Sequence, residues 1–237
     1  MGRGVQEAVL KALRAPEYRL RVTAVAERAP YTDITVSCPP LLGPSGPGLP
    51  PTAWVRMWIP DGDRERQRAY TLTRMDPAEG TAHVLVLHHE PSGPASRWAL
   101  STVPGDEVAI QVMGGTRYRA PEAGQRLLLL ADPASAPAMV DAVENATSCP
   151  TTVVLLRDDD VPLPTREHRL IRREDDDEDT IRSAIEEALD HGLPDWVWVA
   201  LESGRTRRAV TLLRAAGVGR REIQSQAYWI AGRPMGT

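Results

Sequence analysis

Phenylalanine is absent from this chain of 237 residues, and Lys11 is its only lysine, so nearly every basic side chain is an arginine. We interpret both features as a coding bias rather than as chemistry. Cysteine is scarce as well, since only Cys38 and Cys149 occur, far apart and without histidines at ligand spacing. This pattern predicts neither a disulfide framework nor a zinc site, and we expect no resident metal.

Long apolar runs are also missing. No run approaches the roughly 20 residues that a membrane-spanning helix needs, and the N-terminus has no apolar signal-peptide core. The net charge of −4 argues against a clustered basic surface of the kind that binds nucleic acid. We therefore expect a soluble, cytoplasmic protein that binds neither membranes nor nucleic acid.

The first half of the chain is rich in short β-like stretches with turn residues between them. Their apolar or alternating patterns are typical of half-buried strands. The predicted strands cover residues 19–27, 31–38, 53–59, 68–74, 83–88 and 107–113. Six strands and one interrupting helix predict an N-terminal antiparallel six-stranded β-barrel. A short helix is expected at 4–14, and the Pro- and Gly-rich residues 39–51 are expected to form a surface loop.

From about residue 125 the pattern changes to apolar strands that alternate with helices. Strands are predicted at 126–131, 151–156 and 196–201, and helices at 134–146, 178–190 and 203–216. This alternation predicts a small parallel α/β domain. The acidic residues 174–179 are expected to begin a solvated helix. We place the junction at Pro121–Gly124 and predict domains at 1–123 and 124–237.

Two clusters in the first half could together hold a flavin dinucleotide. On the predicted strand, Arg68 and Tyr70 share one face and Thr71 lies on the other. A guanidinium can bind two phosphate oxygens, and a tyrosine ring can pack on a flavin ring. The alternative is an exposed arginine beside a tyrosine of the barrel core.

The second cluster, Gly93-Pro94-Ala95-Ser96, reads as the start of a short helix. Proline preorganises the first turn, and the free amides there form an anion site to which Ser96 can add its hydroxyl. Trp98 would bury the helix against the barrel. The alternative is a structural helix that simply joins two strands. Both clusters together make an FAD enzyme the leading hypothesis.

Seven motifs in fixed order carry a resemblance to a known family. They are Arg68–Arg74, Val86–His88, Gly93–Ala99, Pro104–Asp106, Leu130–Ala138, Trp196–Ser203 and Tyr228–Gly232. This series resembles the siderophore-interacting protein family, FAD-dependent ferric-siderophore reductases of the ferredoxin-reductase-like superfamily. The resemblance covers nearly the whole chain and implies release of Fe(II) from ferric siderophores, with NAD(P)H or ferredoxin as the electron donor.

The resemblance also implies which residues meet the ligands, although it names no catalytic residue. The residues implied to bind FAD are Arg68, Tyr70, Thr71, Leu72, Thr73, His88, Pro94, Ala95, Ser96 and Trp98. Among them, Pro94, Ala95 and Ser96 are implied to contact the pyrophosphate. The residues implied on the donor or substrate side of an NAD(P)H-binding-like domain are Asp132, Glu202, Tyr228 and Trp229. Without the resemblance, Tyr228 and Trp229 could equally belong to a C-terminal strand packed on the core.

The chain departs from the family pattern mostly on the nicotinamide side. The changed positions are His89, Met113–Arg117, Ala131–Ala134, Leu201 and Ile230. FAD binding is therefore better supported than use of NAD(P)H. Two alternatives stay open: flavin-dependent tailoring of a small metabolite, and a non-redox protein that keeps the fold. The cations that could form a rim for an anionic siderophore are Arg56, Arg64, Arg66 and Arg117, each of which could also be a scattered surface residue.

Overall fold

The computed structural model describes residues 16–112, 118–157 and 160–232. The chain forms two compact units that divide between Thr116 and Arg117. The predicted helix at 4–14 lies outside the described residues. Among the helices that the structure describes, none is both long enough and apolar enough to cross a membrane.

The first unit is an antiparallel sheet with two short helices. Its strands are β1 (Glu17–Arg28), β2 (Tyr31–Ser37), β3 (Trp54–Asp61), β4 (Arg64–Thr71), β5 (Thr73–Asp76), β6 (Thr81–Leu87) and β7 (Glu107–Val112), and its helices are α1 (Pro39–Leu42) and α2 (Pro94–Ser101). The strand order is β4-β3-β7-β1-β2-β6-β5. The sheet therefore has seven strands among the described residues, and the prediction of six was wrong.

The extra strand arises because the stretch predicted as one strand at 68–74 divides at Leu72. Leu72 is fully buried, and its N–H donates to the carbonyl of Ala53 at 3.0 Å. Arg74 then adopts a left-handed backbone conformation with φ 47°. These features turn the chain from β4, which pairs with β3, to β5, which pairs with β6.

This break also shows that the sheet curls. Strands β4 and β5 lie at opposite ends of the strand order, yet Leu72 alone separates them in the chain. A flat sheet of this width would put its outer strands roughly 29 Å apart, far beyond what one residue spans. The sheet must therefore curve until its ends meet, as the predicted barrel requires.

The inside of the barrel is filled by alternate strand residues. In β3, for example, Val55, Met57 and Ile59 are each fully buried in one apolar cluster. Residues 39–51 are not all surface loop as predicted, because Leu41 and Leu42 of α1 are buried in the same cluster. The sequence pattern hid this because Pro39 and Pro40 stand at the first positions of a helix, where proline costs no hydrogen bond.

A buried carboxylate on β2 is surrounded by two arginines and a histidine. Asp33 is only 4% exposed and bonds to Arg74 Nη2 at 2.6 Å, His83 Nδ1 at 2.8 Å and Arg28 Nε at 3.4 Å. Burial by itself raises the pKa of Asp33, but the hydrogen bonds from His83 and Arg74 outweigh burial and hold the pKa below its ordinary value. The ionised form therefore stabilises the fold.

We expect Asp33→Asn to flatten the acid dependence of stability. A carboxyl whose pKa is lower in the folded protein contributes stability above its unfolded pKa of about 3.9 and loses it as pH falls through the folded pKa. In urea unfolding measured from pH 6 downward, the free energy of unfolding should fall more steeply for the wild type than for Asp33→Asn. At neutral pH the variant should have a free energy of unfolding about 1–3 kcal/mol lower than the wild type. Asp63→Asn, at an exposed position, is the control. Equal pH slopes for the wild type and Asp33→Asn would contradict the role of this carboxylate.

The second unit is a parallel α/β sheet. Its elements are β8 (Leu127–Ala131), α3 (Ala136–Asn145), β9 (Thr151–Leu156), β10 (Arg169–Arg173), α4 (Glu178–Leu189), β11 (Trp196–Glu202), α5 (Ser203–Ala215) and β12 (Ile223–Trp229). The five strands follow the order β10-β9-β8-β11-β12, and every described pairing is parallel. The prediction of a barrel followed by a parallel α/β domain is therefore confirmed.

Strand β10 was missing from the sequence prediction for a physical reason. It is an edge strand with three arginines, and of its two apolar residues only Ile171 is fully buried. The acidic run does lead into a helix: Asp177 caps α4 by accepting the N–H of Thr180 at 2.8 Å, and Glu178 and Asp179 lie in its first turn, whereas residues 174–176 precede the helix. No group of side chains suited to hold a metal ion occurs in the part of the chain that the structure describes.

Candidate functional site

The two residues singled out on β4 share one face of the first unit's sheet. Tyr70 lies opposite Val55 of β3, and Arg68 lies opposite Met57. Directly opposed residues project to the same face, so both side chains start from the core-facing side. Thr71 is opposite Trp54 and therefore projects to the other face, as the alternation in the sequence predicts.

Tyr70 keeps its proton under ordinary conditions. Its ring is half-buried and packs against the barrel's apolar cluster. Burial raises the pKa of its phenol, and the charge of Arg68 opposes this shift only in part. The hydroxyl is therefore available as a hydrogen-bond donor. Arg68, also half-buried, donates from Nη1 to the carbonyl of Gln67 at 2.8 Å, which fixes the position of its guanidinium beside the strand.

The residues after Tyr70 are more deeply buried. The exposed fractions of Thr71, Leu72 and Thr73 are 8%, 0% and 3%, and Thr73 Oγ1 donates to the carbonyl of His83 at 3.4 Å. Leu72 belongs to the barrel core. A ligand at this strand end would therefore meet the backbone of these residues more readily than their side chains.

Helix α2 begins without a side-chain cap. Gly93 is its N-cap residue, Pro94 occupies the first turn, and the first backbone bond within the helix runs from Arg97 N to Gly93 O at 3.1 Å. The amides of Ala95 and Ser96 precede this bond, so they are the free donors of the helix start. Trp98 packs in the barrel core and anchors the helix. The start of α2 thus offers the donors that a phosphate group requires.

His88 stands immediately before this turn and has one unsatisfied nitrogen. Its ring Nε2 bonds to Thr32 Oγ1 at 2.8 Å, whereas Nδ1 is buried without a hydrogen-bond partner. The neighbouring Leu87 carbonyl accepts a bond from Ser96 Oγ at 3.4 Å, which ties the strand end to α2. A buried polar atom without a partner is unfavourable unless a ligand or water satisfies it. Together with the uncapped helix, this nitrogen fits a polar dinucleotide such as FAD.

His89, one of the departures from the family pattern, lies close to the same turn. A Cβ added to Gly93 would stand 3.6 Å from His89 Nε2. The imidazole therefore occupies space beside the start of α2. Of the four cations proposed as a rim, Arg117 lies outside the described residues. Arg66 pairs with Asp61 at 3.4 Å, and Arg56 donates to Gln67 Oε1 at 3.1 Å, which leaves the exposed Arg64 as the better candidate.

In the second unit, the predicted residues Asp132 and Glu202 stand at the carboxyl ends of the neighbouring strands β8 and β11. Asp132 follows β8, is 2% exposed, and accepts bonds from Ser135 N at 3.1 Å and Trp229 Nε1 at 2.8 Å. Burial raises the pKa of Asp132 despite these bonds.

Tyr228, on β12, is another residue predicted on the donor or substrate side. It lies edge-on to the ring of Trp198, with the ring centroids 5.9 Å apart.

Glu202 ends β11 and accepts three backbone N–H bonds. They come from Gly204 at 2.5 Å, Arg205 at 3.1 Å and Ala231 at 3.3 Å. Burial raises the pKa of Glu202, but these backbone bonds together outweigh burial, so the pKa lies below its ordinary value and the side chain is ionised. Glu202 thus caps α5, whereas Asp132 accepts the N–H of Ser135, the N-cap residue of α3.

Some partners at these positions were not predicted. Thr32 is 56 residues from His88 in the chain, and only the pairing of β2 with β6 brings the two together. Ser135 could have been found, because a serine three residues after an aspartate is a common reciprocal turn pattern. Its hydroxyl donates to the carbonyl of Ala200 at 2.5 Å and so joins β8 to β11.

Comparison with known sequences gives the family. The sequence profile of the siderophore-interacting FAD-binding domain matches residues 42–116, and that of the siderophore-interacting protein matches residues 124–232. The chain belongs to the siderophore-interacting protein family. The two matches together cover most of the chain, which confirms the predicted family and FAD as its cofactor.

A curated relative extends well beyond this chain. The mycobactin import ATP-binding/permease protein IrtA of Mycolicibacterium thermoresistibile is 35% identical over 256 residues, a match that covers all of this chain and 27% of that protein. The chain spans between 27% and 29% of the length of the curated relatives it matches.

Solved structures show the same fold. A siderophore utilization protein from T. fusca superposes with a TM-score of 0.70 at 21% identity, covering 92% of this chain and 94% of that one. A ferredoxin NADP+ reductase from Neisseria gonorrhoeae with bound FAD and NADP gives a TM-score of 0.70 at 14% identity, covering 91% of this chain and all of that one. The fold of this siderophore-interacting protein is therefore ferredoxin-reductase-like.

Proposed function

We propose that this chain is a flavin-dependent reductase that releases iron from ferric siderophores, with electrons supplied by NAD(P)H or by a ferredoxin. The observation that carries the proposal is the uncapped start of α2, which Ser96 ties to the end of β6, just before His88 with its unpartnered Nδ1, in a siderophore-interacting FAD-binding domain. The name of the relatives, which refers to mycobactin import, makes a mycobactin-type ferric siderophore the first substrate to test.

The chemistry needs no protein ligand for iron. Siderophores hold Fe(III) through hard oxygen donors that bind Fe(II) far less tightly, so reduction by one electron frees the metal. FAD, when bound, accepts two electrons and can pass them on singly, so each reduced cofactor can serve two ferric complexes.

In the proposed site, the chain's own residues bind and orient the cofactor. The guanidinium of Arg68 and the amides of Ala95 and Ser96 would bind the pyrophosphate, since both supply N–H donors and positive potential. The half-buried ring of Tyr70 would pack on the isoalloxazine, and His88 Nδ1 would bond to a polar group of the cofactor. These assignments are proposed from the resemblance to the family, with support from the half-buried Arg68 and Tyr70 on one face of β4 and from the position of His88 just after β6.

The proposal is tested with protein reconstituted with FAD. The flavin is photoreduced to its two-electron state without excess reductant and mixed anaerobically with a ferric siderophore in the presence of an Fe(II) chelator. We expect flavin reoxidation together with two Fe(II) per FAD, much faster than with free reduced FAD. If the protein-bound flavin reacts no faster than free flavin, ferric-siderophore reduction is not the function. A flavin-dependent tailoring reaction would then be the better account.

A further inference from the structure

The parallel sheet of the second unit has one point where a dinucleotide would be expected. In open parallel sheets, ligands bind outside the carboxyl ends of two strands at which the strand order reverses, and a helix N-terminus there binds the pyrophosphate. Here this point lies between β8 and β11, because β9 and β10 follow on one side and β12 on the other. The helices that start there are α3 and α5.

On the β11 side, the chain's own carboxylate occupies the amides that a pyrophosphate would use. Glu202 Oε2 accepts from Gly204 N at 2.5 Å and from Arg205 N at 3.1 Å, and these residues form the first turn of α5. The carboxylate lies so close that a Cβ on Gly204 would stand 2.9 Å from Oε2. An incoming phosphate would have to displace Glu202 and would then face its negative charge.

The cation nearest to this carboxylate is already paired. Arg205 Nη1 lies 3.7 Å from Glu202 Oε2, and Arg205 Nε lies 2.6 Å from Asp176 Oδ2. Two carboxylates thus share one guanidinium. Arg205 does not provide surplus positive charge for a pyrophosphate.

The end of β12 is tied to both carboxylates. Trp229 Nε1 donates to Asp132 Oδ2 at 2.8 Å, and Ala231 N donates to Glu202 Oε1 at 3.3 Å. Asp132 in turn accepts the N–H of Ser135 just before α3. The C-terminal segment Trp229–Ala231 is therefore bonded to the ends of both strands that flank the reversal point.

We propose that Glu202, together with the Asp132–Trp229 pair, closes the reversal point between β8 and β11 to the pyrophosphate of NAD(P)H, so that this chain's flavin is reduced by a one-electron carrier protein. This inference rests on the proposed function, because it concerns the donor of that reaction. Two reduced carriers each give up one electron. These two electrons, together with two protons from solvent, reduce one FAD. Two ferric complexes then each accept one electron.

The test compares donors and binding in FAD-loaded protein. NADPH and NADH are titrated and followed by energy transfer from tryptophan, and the anaerobic rate of flavin reduction is measured with NADPH and with reduced [2Fe–2S] ferredoxin. We expect dissociation constants above about 1 mM for both nucleotides in the wild type, at the weak end of enzyme–substrate affinities. Reduced ferredoxin should reduce the flavin at least about tenfold faster than NADPH, a difference of about 1.4 kcal/mol in activation free energy.

Glu202→Gln removes the charge but keeps a carbonyl oxygen that can cap the helix. We expect it to bind NADPH at least about tenfold more tightly than the wild type, a margin set by the loss of one like-charge contact. Asp177→Asn is the matched control, since Asp177 likewise caps a helix, α4, but accepts its bond from Thr180 and not from the amides of α5. Trp229→Phe removes only the bond from the indole N–H to Asp132, and we expect it too to bind NADPH more tightly than the wild type.

Two results would overturn the inference. One is micromolar NADPH binding by the wild type, or faster flavin reduction by NADPH than by ferredoxin. The other is a folded Glu202→Gln protein, with a melting temperature close to that of Asp177→Asn, that binds NADPH no more tightly than the wild type. The photoreduction assay under the proposed function uses no biological donor, so its failure is recognised separately from either result.

Discussion

Replacing Arg68 by alanine is expected to raise the dissociation constant for FAD by about 10- to 100-fold. A hydrogen bond to a charged partner contributes about 1.5–3 kcal/mol, and each 1.4 kcal/mol corresponds to a factor of ten in affinity. Arg68 is held beside its strand by the bond to Gln67, so its guanidinium is positioned before the cofactor binds. Equilibrium titration of apoprotein with FAD, followed by flavin fluorescence, measures the change.

The control for this prediction is Arg64→Ala. Arg64 is an exposed arginine on the same strand and the same face, four residues earlier. The Arg64→Ala substitution removes the same charge from the protein as Arg68→Ala does, without removing the proposed phosphate contact. Equal FAD affinities for the two variants would show that Arg68 makes no specific contact with the cofactor. If both affinities also equalled that of the wild type, positive charge on this strand would be unimportant for FAD retention.

Replacing Trp98 by alanine is expected to lower the free energy of unfolding by about 3–5 kcal/mol. The indole is 7% exposed and packs in the barrel core, so its loss leaves a large cavity under α2. Because α2 carries the amides proposed to bind the pyrophosphate, FAD retention should fall as well. Urea unfolding of apoprotein and FAD titration under folding conditions separate the two effects.

Leu100→Ala is the matched control for Trp98→Ala. Leu100 belongs to the same helix but is 64% exposed, so its truncation leaves no cavity. We expect a change within about 0.5 kcal/mol, as for most surface substitutions. A stability loss for Trp98→Ala no larger than for Leu100→Ala would mean that α2 is not anchored by its indole.

The sequence allowed the architecture to be predicted because its signals are local. Strand alternation, as in Val55-x-Met57-x-Ile59, and the apolar run Leu127–Ala131 follow directly from which faces are buried. The start of α2 was also predictable, since Pro94 is favourable at that position. These features depend on a few neighbouring residues.

The parts that could not be predicted depend on contacts between distant residues. The division of one predicted strand at Leu72 follows from its bond to Ala53, which nothing near Leu72 in the sequence indicates. His88 gains Thr32 as a partner only through pairing of β2 with β6. Glu202 likewise accepts the N–H of Ala231, 29 residues away, in addition to its local capping bonds. The motifs thus predict where ligands would bind, whereas hydrogen bonds that arise only on folding determine which groups at these positions remain available.

The arginine-rich strand β10 affects how this protein behaves at high concentration. An outermost strand of a sheet exposes backbone groups that could pair with another molecule, and charged side chains on such a strand oppose this association. β10 is the outermost strand beside β9, and three of its five residues are arginines. The composition that concealed this strand from sequence analysis therefore also protects the sheet against edge-to-edge aggregation.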